Sequence, residues 1–292
     1  MNLIEIPDIH YKIEIPSEFS EMTMDQFVYF AGLSLKFKSK LISLDDLKTL
    51  MVMRFLNVKS EGFAKLTEDA QLLVSENINR MKELLGFLFI ETENGELTYD
   101  LSFTRNLVPF LKLNRIRRFK GPADALTDIS FLEYKDANTY FRSFNETSNE
   151  ADLNRMIAVL YRPARFFKKQ AYNPDDIELR AWKIGRLPMP LRWAVYLFYA
   201  SCENFLKSGT LTIDGNEISL DILYKITLKE MQKAKAPKYD AKTGLAGVAL
   251  SLAATGVFGP IDKVYSQNLY DVILLLYKQR IEYLNELENL PS

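Results

Sequence analysis

The sequence contains few of the side chains that metal sites and most nucleophilic catalysts use. Its 292 residues include one histidine, His10, and one cysteine, Cys202. A structural zinc site needs about four Cys or His ligands, so these two residues cannot form one, and a single cysteine excludes an internal disulfide. A Ser-His-Asp or Cys-His centre would require His10, but no nucleophile motif accompanies it. We therefore interpret His10 as a surface residue and Cys202 as a core residue.

Motifs that bind nucleotides or calcium are missing as well. The chain has no Walker loop, no Gly-x-Gly-x-x-Gly after a strand, no EF-hand spacing and no His-Glu-x-x-His. Paired acids occur at Asp45-Asp46 and Asp175-Asp176. Both pairs lie in predicted first turns of helices, where negative charge favours the helix dipole. The sequence thus predicts a non-enzymatic protein with no catalytic residue, no cofactor and no metal.

An excess of either charge is also missing. The 37 basic and 38 acidic residues give a net charge of −1, so no overall field attracts nucleic acid or anionic lipid. The N-terminus lacks the basic region and continuous apolar core of a secretory signal. These features favour neither a nucleic-acid nor a membrane partner, and they predict a cytoplasmic protein. Hydrophobic residues make up 48% of the chain, enough for a substantial core.

One segment lacks charge altogether. From Thr243 to Ile261 no side chain is charged. Its glycines and Pro260 leave a shorter apolar helix than the roughly twenty residues that span a bilayer. The same residues suit a segment that bends, packs closely or changes shape. We expect this uncharged segment to pack inside the protein or against a partner.

Helix signals occur along the whole chain. Capping boxes at Thr23, Ser43 and Ser130 each predict the start of a helix, and Asn173-Pro174 predicts another. The predicted helices cover about 24–37, 44–56, a stretch after Thr67, 130–144, 151–160, 174–185, 191–207, 220–233 and 260–287.

Strand signals are fewer, so the predicted fold class is mainly α with minor β: a helical array with two short β-hairpins and an N-terminal strand. The strand covers residues 10–15, and the hairpins turn at Asn94-Gly95 and Asp214-Gly215. A basic linker ending at Gly121-Pro122 predicts an N-terminal helical subdomain, 1–118, and a C-terminal helical domain, 119–292. A single domain is the alternative.

Two surfaces are candidates for binding. The uncharged segment and the last helix, which is apolar on two sides, form a candidate protein-binding surface; ordinary core is the alternative for both. Its residues are Leu245, Val248, Leu252, Val257, Phe258, Leu269, Ile273 and Tyr277. Two basic clusters, the second with interleaved phenylalanines, are candidates for phosphate binding; a solvated basic face is the alternative. Their residues are Arg115, Arg117, Arg118, Arg162, Arg165, Lys168 and Lys169.

Three segments together resemble a known group of proteins. They are IPSEFSEMTMDQF near the N-terminus, LNRMIAVLYRP from Leu153 to Pro163, and GVFGPIDKVYSQNLYDVILLLYKQR from Gly256 to Arg280. They are similar to phage and prophage tail-region proteins of Bacteroidetes hosts, whose genes lie near that of the tape-measure protein. The chain is also similar in style to tail assembly chaperones. The resemblance implies tape-measure or tail proteins, or a second copy of the chain, as partners, but no specific site residue.

The leading hypothesis is therefore a non-enzymatic phage assembly protein that acts through protein–protein contacts, with a tail assembly chaperone as the specific form. It places the chain in the host cytoplasm during assembly. A virion component at the head–tail junction, tail or baseplate is the first alternative, and it would be retained in the particle. A nucleic-acid-binding factor that uses the two basic clusters is the second, and an enzyme of unrecognised type is a third.

Overall fold

The chain folds into two compact units. The computed structural model describes residues 1–6, 11–58, 67–92, 94–113, 118–165, 168–213, 215–225 and 244–289. Unit 1 comprises Met1–Val108 and Leu187–Tyr199, and unit 2 comprises Pro109–Arg186 and Ala200–Ser292. The division after Val108 precedes the predicted boundary at residues 118 and 119. The sequence did not predict that Leu187–Tyr199 belongs to unit 1.

Helices dominate and strands are short, which confirms the predicted fold class of mainly α with minor β. In the described part of unit 1, three helices follow the predicted caps, and the side chains of Thr23, Ser43 and Thr67 each accept a backbone N–H of the first turn. The helices are α1 (Met24–Lys38), α2 (Leu44–Phe55) and α3 (Glu68–Lys82). Two antiparallel hairpins join β1 (Asn2–Ile6) to β2 (Tyr11–Ile15), and β3 (Phe89–Glu91) to β4 (Leu97–Tyr99).

Aromatic rings form the centre of unit 1. Phe19 is buried and stacks on Phe103, with 4.9 Å between ring centroids. Phe27 and Phe30 each make a T-shaped ring contact with Phe19. Trp193, from the returning segment, donates from Nε1 to Ser34 Oγ at 2.9 Å. The buried indole N–H and hydroxyl therefore satisfy each other within the core.

Unit 2 contains helices that pack in sequence and a small sheet. Helix α4 packs against α5, and α5 packs against α6; their ranges are Phe131–Thr147, Glu150–Leu160 and Ile177–Ile184. The next helix, α7 (Met189–Ser208), begins in unit 1 and ends in unit 2. A hairpin of β9 (Thr210–Ile213) and β10 (Asn216–Ser219) follows, as predicted. Of the helix predicted at 220–233, residues Leu220–Leu223 form a 3-10 helix, and 226–233 lie outside the described residues.

The predicted last helix is wrong in one respect, because it is two helices. After α8 (Gly244–Thr255), the chain forms α9 (Ile261–Ser266) and α10 (Leu269–Glu288). Between the last two, the Asn268 side chain accepts the N–H of Tyr270 and caps α10. The flanking backbone pairs with residues before α4: Phe131 donates to Gln267 and Leu269 donates to Ile129. These non-local bonds interrupt a stretch that has no breaking residue of its own.

The prediction of a basic linker also needs correction, because residues of this stretch form strands of a sheet. Four antiparallel strands pair in the order β5 (Phe110–Lys112), β6 (Arg118–Lys120), β7 (Arg162–Arg165) and β8 (Lys168–Lys169). Next to β6, Gly121 donates its N–H to Pro109 at 2.9 Å. A Cβ at Gly121 would lie 2.5 Å from Cε1 of the fully buried Tyr161. Only glycine fits there without displacing the ring.

The contact between Gly121 and Tyr161 leads to a stability prediction. Gly121→Ala forces the methyl group into the phenol ring, so the free energy of unfolding should fall by about 1–3 kcal/mol. Urea unfolding followed by circular dichroism measures this change. Gly86→Ala is the matched control, because a Cβ at Gly86 meets no atom within 4 Å. If the two variants have equal stability, the packing at Gly121 is looser than the structure indicates.

Candidate functional site

The sheet of unit 2 brings together basic residues from two distant parts of the chain. Lys120 of β6 lies directly opposite Arg162 of β7. Two residues after Arg162 on β7, Ala164 lies opposite Lys169 of β8. Side chains alternate between the two faces of a strand, so Lys120, Arg162 and Lys169 share one face of the sheet. Basic residues separated by about forty positions in sequence therefore form one cationic surface, as strand pairing permits for non-local segments.

Arg162 is the most deeply buried member of this surface. Its side chain is 4% exposed, and Nη2 lies 2.6 Å from Oε1 of the equally buried Glu133. The guanidinium carbon is 5.4 Å from the ring centroid of Tyr172, within the range of a cation–π contact. Its Nε and Nη1 atoms are buried without a hydrogen-bond partner. A desolvated guanidinium with two unpaired nitrogens is costly, because each unpaired buried donor loses its bonds to water.

Glu133 serves the backbone as well as Arg162. Its Oε2 accepts hydrogen bonds from the N–H and the hydroxyl of Ser130, both at 3.0 Å. These bonds complete the predicted capping box of α4. Its other oxygen faces Arg162. One carboxylate thus connects the start of α4 to strand β7.

A cavity of about 570 Å³ opens beside this ion pair. It is lined by Lys120, Asp128, Glu133, Arg162, Lys168, Lys169, Gln170, Ala171 and Tyr172. Lys169 is mostly buried, with Nζ 3.2 Å from Oδ2 of Asp128. Burial lowers the pKa of Lys169, and the nearby Asp128 opposes that shift. Four basic side chains face two carboxylates around the cavity, an excess of two positive charges. The chemistry of this lining favours a bound anion.

Tyr172 is one of the residues that line the cavity. Its hydroxyl donates to Oδ2 of Asp136 at 2.6 Å. Burial raises the pKa of Tyr172 well above its usual range, and the hydrogen bond to the Asp136 carboxylate raises it further. The phenol therefore stays protonated and fixed in place, with its ring held beside Arg162.

The structure places the seven predicted phosphate-binding residues differently. Arg162, Lys168 and Lys169 line the cavity, and Arg118 is exposed in β6. Arg115, Arg117 and the Arg165 side chain lie outside what the structure describes. The sequence patterns do not indicate Glu133, Asp128 and Tyr172 as residues of this site. The capping box already accounted for Glu133, so nothing in the sequence indicated its second partner.

The candidate protein-binding residues of the uncharged segment divide by burial. Within α8, Leu252 is 1% exposed and belongs to the core. Leu245 and Val248 are half-buried, as is Phe258 after the helix. Val257 is 62% exposed, and Leu250, absent from the predicted set, is 57% exposed. The exposed apolar surface of this segment therefore centres on Leu250 and Val257.

The candidate protein-binding residues of the last helix are buried or half-buried. Leu269 and Ile273 of α10 are buried, and Tyr277 is half-buried. The environment of these residues agrees with the alternative interpretation, in which they belong to the ordinary hydrophobic core. Cys202 is also fully buried, and burial raises the pKa of its thiol. A protonated, inaccessible thiol is unreactive, as the interpretation of a core residue requires.

A second exposed surface lies on α6. Trp182 is 59% exposed, and the Arg186 guanidinium carbon lies 3.6 Å from its ring centroid. Leu179, one turn earlier on the same helix, is exposed as well. Exposed tryptophan beside arginine is the composition typical of energetic centres in protein interfaces. The sequence does not indicate this face, because a lone tryptophan in an amphipathic helix gives no exposure signal.

The comparisons with known proteins find no match: no family model, no curated protein and no solved structure is similar to the chain. Among the described residues, no group of three or more His, Cys, Asp and Glu side chains is placed to hold a metal ion. In the same part of the chain, no helix combines the length and apolar character required to cross a membrane.

The protonated phenol of Tyr172 leads to a pH prediction. Because its pKa is raised in the folded state, its contribution to stability is complete below the unfolded pKa of about 10 and is lost as pH rises above it. Tyr172→Phe has no such proton. Between pH 10 and 11 its free energy of unfolding should fall by about 1 kcal/mol less than that of the wild type.

Urea unfolding at several pH values measures this difference. At pH 7 the Phe variant should be less stable, by about 1.5–3 kcal/mol, since the hydrogen bond to a charged partner is lost. Tyr283→Phe, at an exposed tyrosine, is the control and should follow the wild-type curve. Parallel curves for wild type and Tyr172→Phe would contradict the prediction.

Proposed function

We propose that this chain is a non-enzymatic assembly protein that binds another protein through the exposed face of the uncharged segment. The observation that carries the proposal is the exposure of Leu250 and Val257 in a stretch without any charged side chain. Burying such a surface requires no charge to be desolvated. Each large aliphatic side chain that becomes buried contributes about 1.5–3 kcal/mol.

The segment also has the backbone of a surface that adapts to a partner. After α8, Gly256 and Gly259 have φ values of 74° and 84°, which glycine adopts without strain. A Cβ at either position would meet no atom within 4 Å. The turn that carries Val257 is therefore held by glycine geometry and has open space around it.

The resemblance to phage tail-region proteins supplies the expected partner. If the chain acts as a tail assembly chaperone, the tape-measure protein or another tail protein covers the face around Leu250. The Trp182–Arg186 surface of α6 offers a second contact of the type that contributes strongly to interfaces. A virion component with the same surfaces is the alternative.

The exposed face can be tested by co-expression with the products of neighbouring tail genes. Leu250→Asp places a charge in the contact and should weaken complex formation at least tenfold, because the loss exceeds about 1.4 kcal/mol. Its free energy of unfolding should change by about 1 kcal/mol or less, since the side chain is exposed. Size-exclusion chromatography with light scattering measures the complexes.

Two variants make this experiment interpretable. Leu41→Asp is the same substitution at an exposed leucine of unit 1, and it should bind as the wild type does. Leu252→Asp buries a carboxylate in the core and should lose about 4 kcal/mol or more of stability. A folded Leu250→Asp variant that binds every partner with the affinity of the wild type would contradict the proposal.

Mass spectrometry of purified particles separates the chaperone from the virion component. A chaperone leaves when the tail tube assembles, so its peptides should be absent from particles and present in the lysate. Peptides at a fixed ratio to the major tail protein would contradict the chaperone role and favour the structural alternative.

A further inference from the structure

Two apolar side chains of α6 face solvent next to cations that have no counter-charge. Leu179 and Trp182 are 57% and 59% exposed, and they lie one turn apart on the helix. The guanidinium carbon of Arg186 lies 3.6 Å from the centroid of the Trp182 ring. Among the described residues, neither Lys183 nor Arg186 forms an ion pair. We call these four residues the α6 surface; it lacks both an apolar cover and a negative charge.

The carboxylates at the start of this helix are engaged within the chain. Glu178 lies 2.8 Å from Nε of Arg155, and Asp176 lies 3.3 Å from Nη1 of Arg180. They therefore do not neutralise the two cations at the other end of the helix. A segment that covers the α6 surface should combine an apolar or aromatic side chain with carboxylates, because complementary charge selects the partner of an interface.

The second half of α10 presents that combination to solvent. Tyr283 is 42% exposed, and Glu286 is exposed one turn later. Glu282 is exposed as well, and its Oε1 lies 3.9 Å from Nζ of Lys278, the outer limit of an ion pair. Glu286 forms no ion pair with any described residue. Residues three and four apart on a helix are neighbours, so Glu286 lies beside both Tyr283 and Glu282. We call these three residues the α10 face.

Arg280 lies beside the aromatic ring of the α10 face. Its guanidinium carbon is 5.7 Å from the ring centroid of Tyr283. The same guanidinium donates to the backbone carbonyls of Ile222 and Lys225, at 3.1 and 2.6 Å. The arginine is thus anchored within the chain, and the ring against it is held in place. A ring that is already held loses less entropy when a partner covers it.

We propose that the α6 surface of one copy of this chain binds the α10 face of a second copy. The Trp182 ring packs against the Tyr283 ring of the second copy, and Arg186 pairs with the carboxylate of Glu286 of the second copy. Both surfaces belong to unit 2, so every copy supplies both halves of the contact. Few side chains take part, and the association is therefore weak, with a dissociation constant above about 1 µM.

This inference rests on the proposed function only in treating the α6 surface as a protein-binding surface. It stands even if the face around Leu250 binds no tail protein. The two can therefore fail separately, because self-association is measured with the purified chain alone.

Sedimentation equilibrium over a concentration series tests the proposal. The weight-average mass of the wild type should rise between about 5 and 300 µM, the range of weak association. Arg186→Glu and Glu286→Arg each place like charges opposite each other, and each should weaken self-association about tenfold or more. In an equal mixture of the two variants, the introduced glutamate of one faces the introduced arginine of the other, so association should return.

Controls separate this contact from a general effect of charge. Lys207→Glu and Glu146→Arg make the same charge changes at exposed positions of unit 2 outside both surfaces. Each should associate within about twofold of the wild type. Leu250→Asp should also associate as the wild type does, since α8 takes no part in the contact. Circular dichroism checks the fold of every variant, and Trp182→Ser, which removes an exposed ring, should weaken association about tenfold if a charge reversal fails to fold.

A wild type that stays monomeric through the whole series would overturn the proposal. Self-association that neither charge reversal weakens would do so as well, and so would a loss in both variants that their mixture does not restore. Association that Leu250→Asp abolishes and the charge reversals leave intact would move the contact to α8 and overturn it too.

Discussion

The ion pair between Arg162 and Glu133 is the interaction on which the polar architecture of unit 2 depends. Both side chains are almost fully buried, so each charge has lost its hydration and requires the other. The Glu133 carboxylate also completes the cap of α4, and Ser130 of that cap pairs with Asn268, the cap of α10. The sheet, the first long helix of unit 2 and the last helix therefore meet around one desolvated pair.

Most helices could be predicted because their signals are local. The capping boxes at Thr23, Ser43 and Ser130 place α1, α2 and α4 within a few residues of where they begin and end. The four-stranded sheet could not be predicted, since β6 pairs with a strand about forty residues away and each strand is only two to four residues long. The split between α9 and α10 escaped prediction for the same reason: its cause is pairing with residues 129–131.

The candidate sites were predictable to a similar degree. The basic residues were visible as two clusters, but their common face depends on strand register. The ion pair of Glu133 could not be predicted, because its position in a capping box already explains why a glutamate occurs there. In α8 the sequence indicates an apolar helix without indicating which side faces solvent. Apolar residues surround the whole helix, so Leu252 in the core and Leu250 at the surface have no periodic signal that distinguishes them.

The exposed face of α8 has a consequence for the free protein. A net charge of −1 provides almost no electrostatic repulsion between copies, so solubility depends on how much apolar surface is exposed. Leu250 and Val257 are exposed apolar side chains of this kind. As concentration rises, contact between identical copies becomes more frequent. Under the proposed function, synthesis together with a partner keeps this face covered, whereas overproduction of the chain alone favours precipitation.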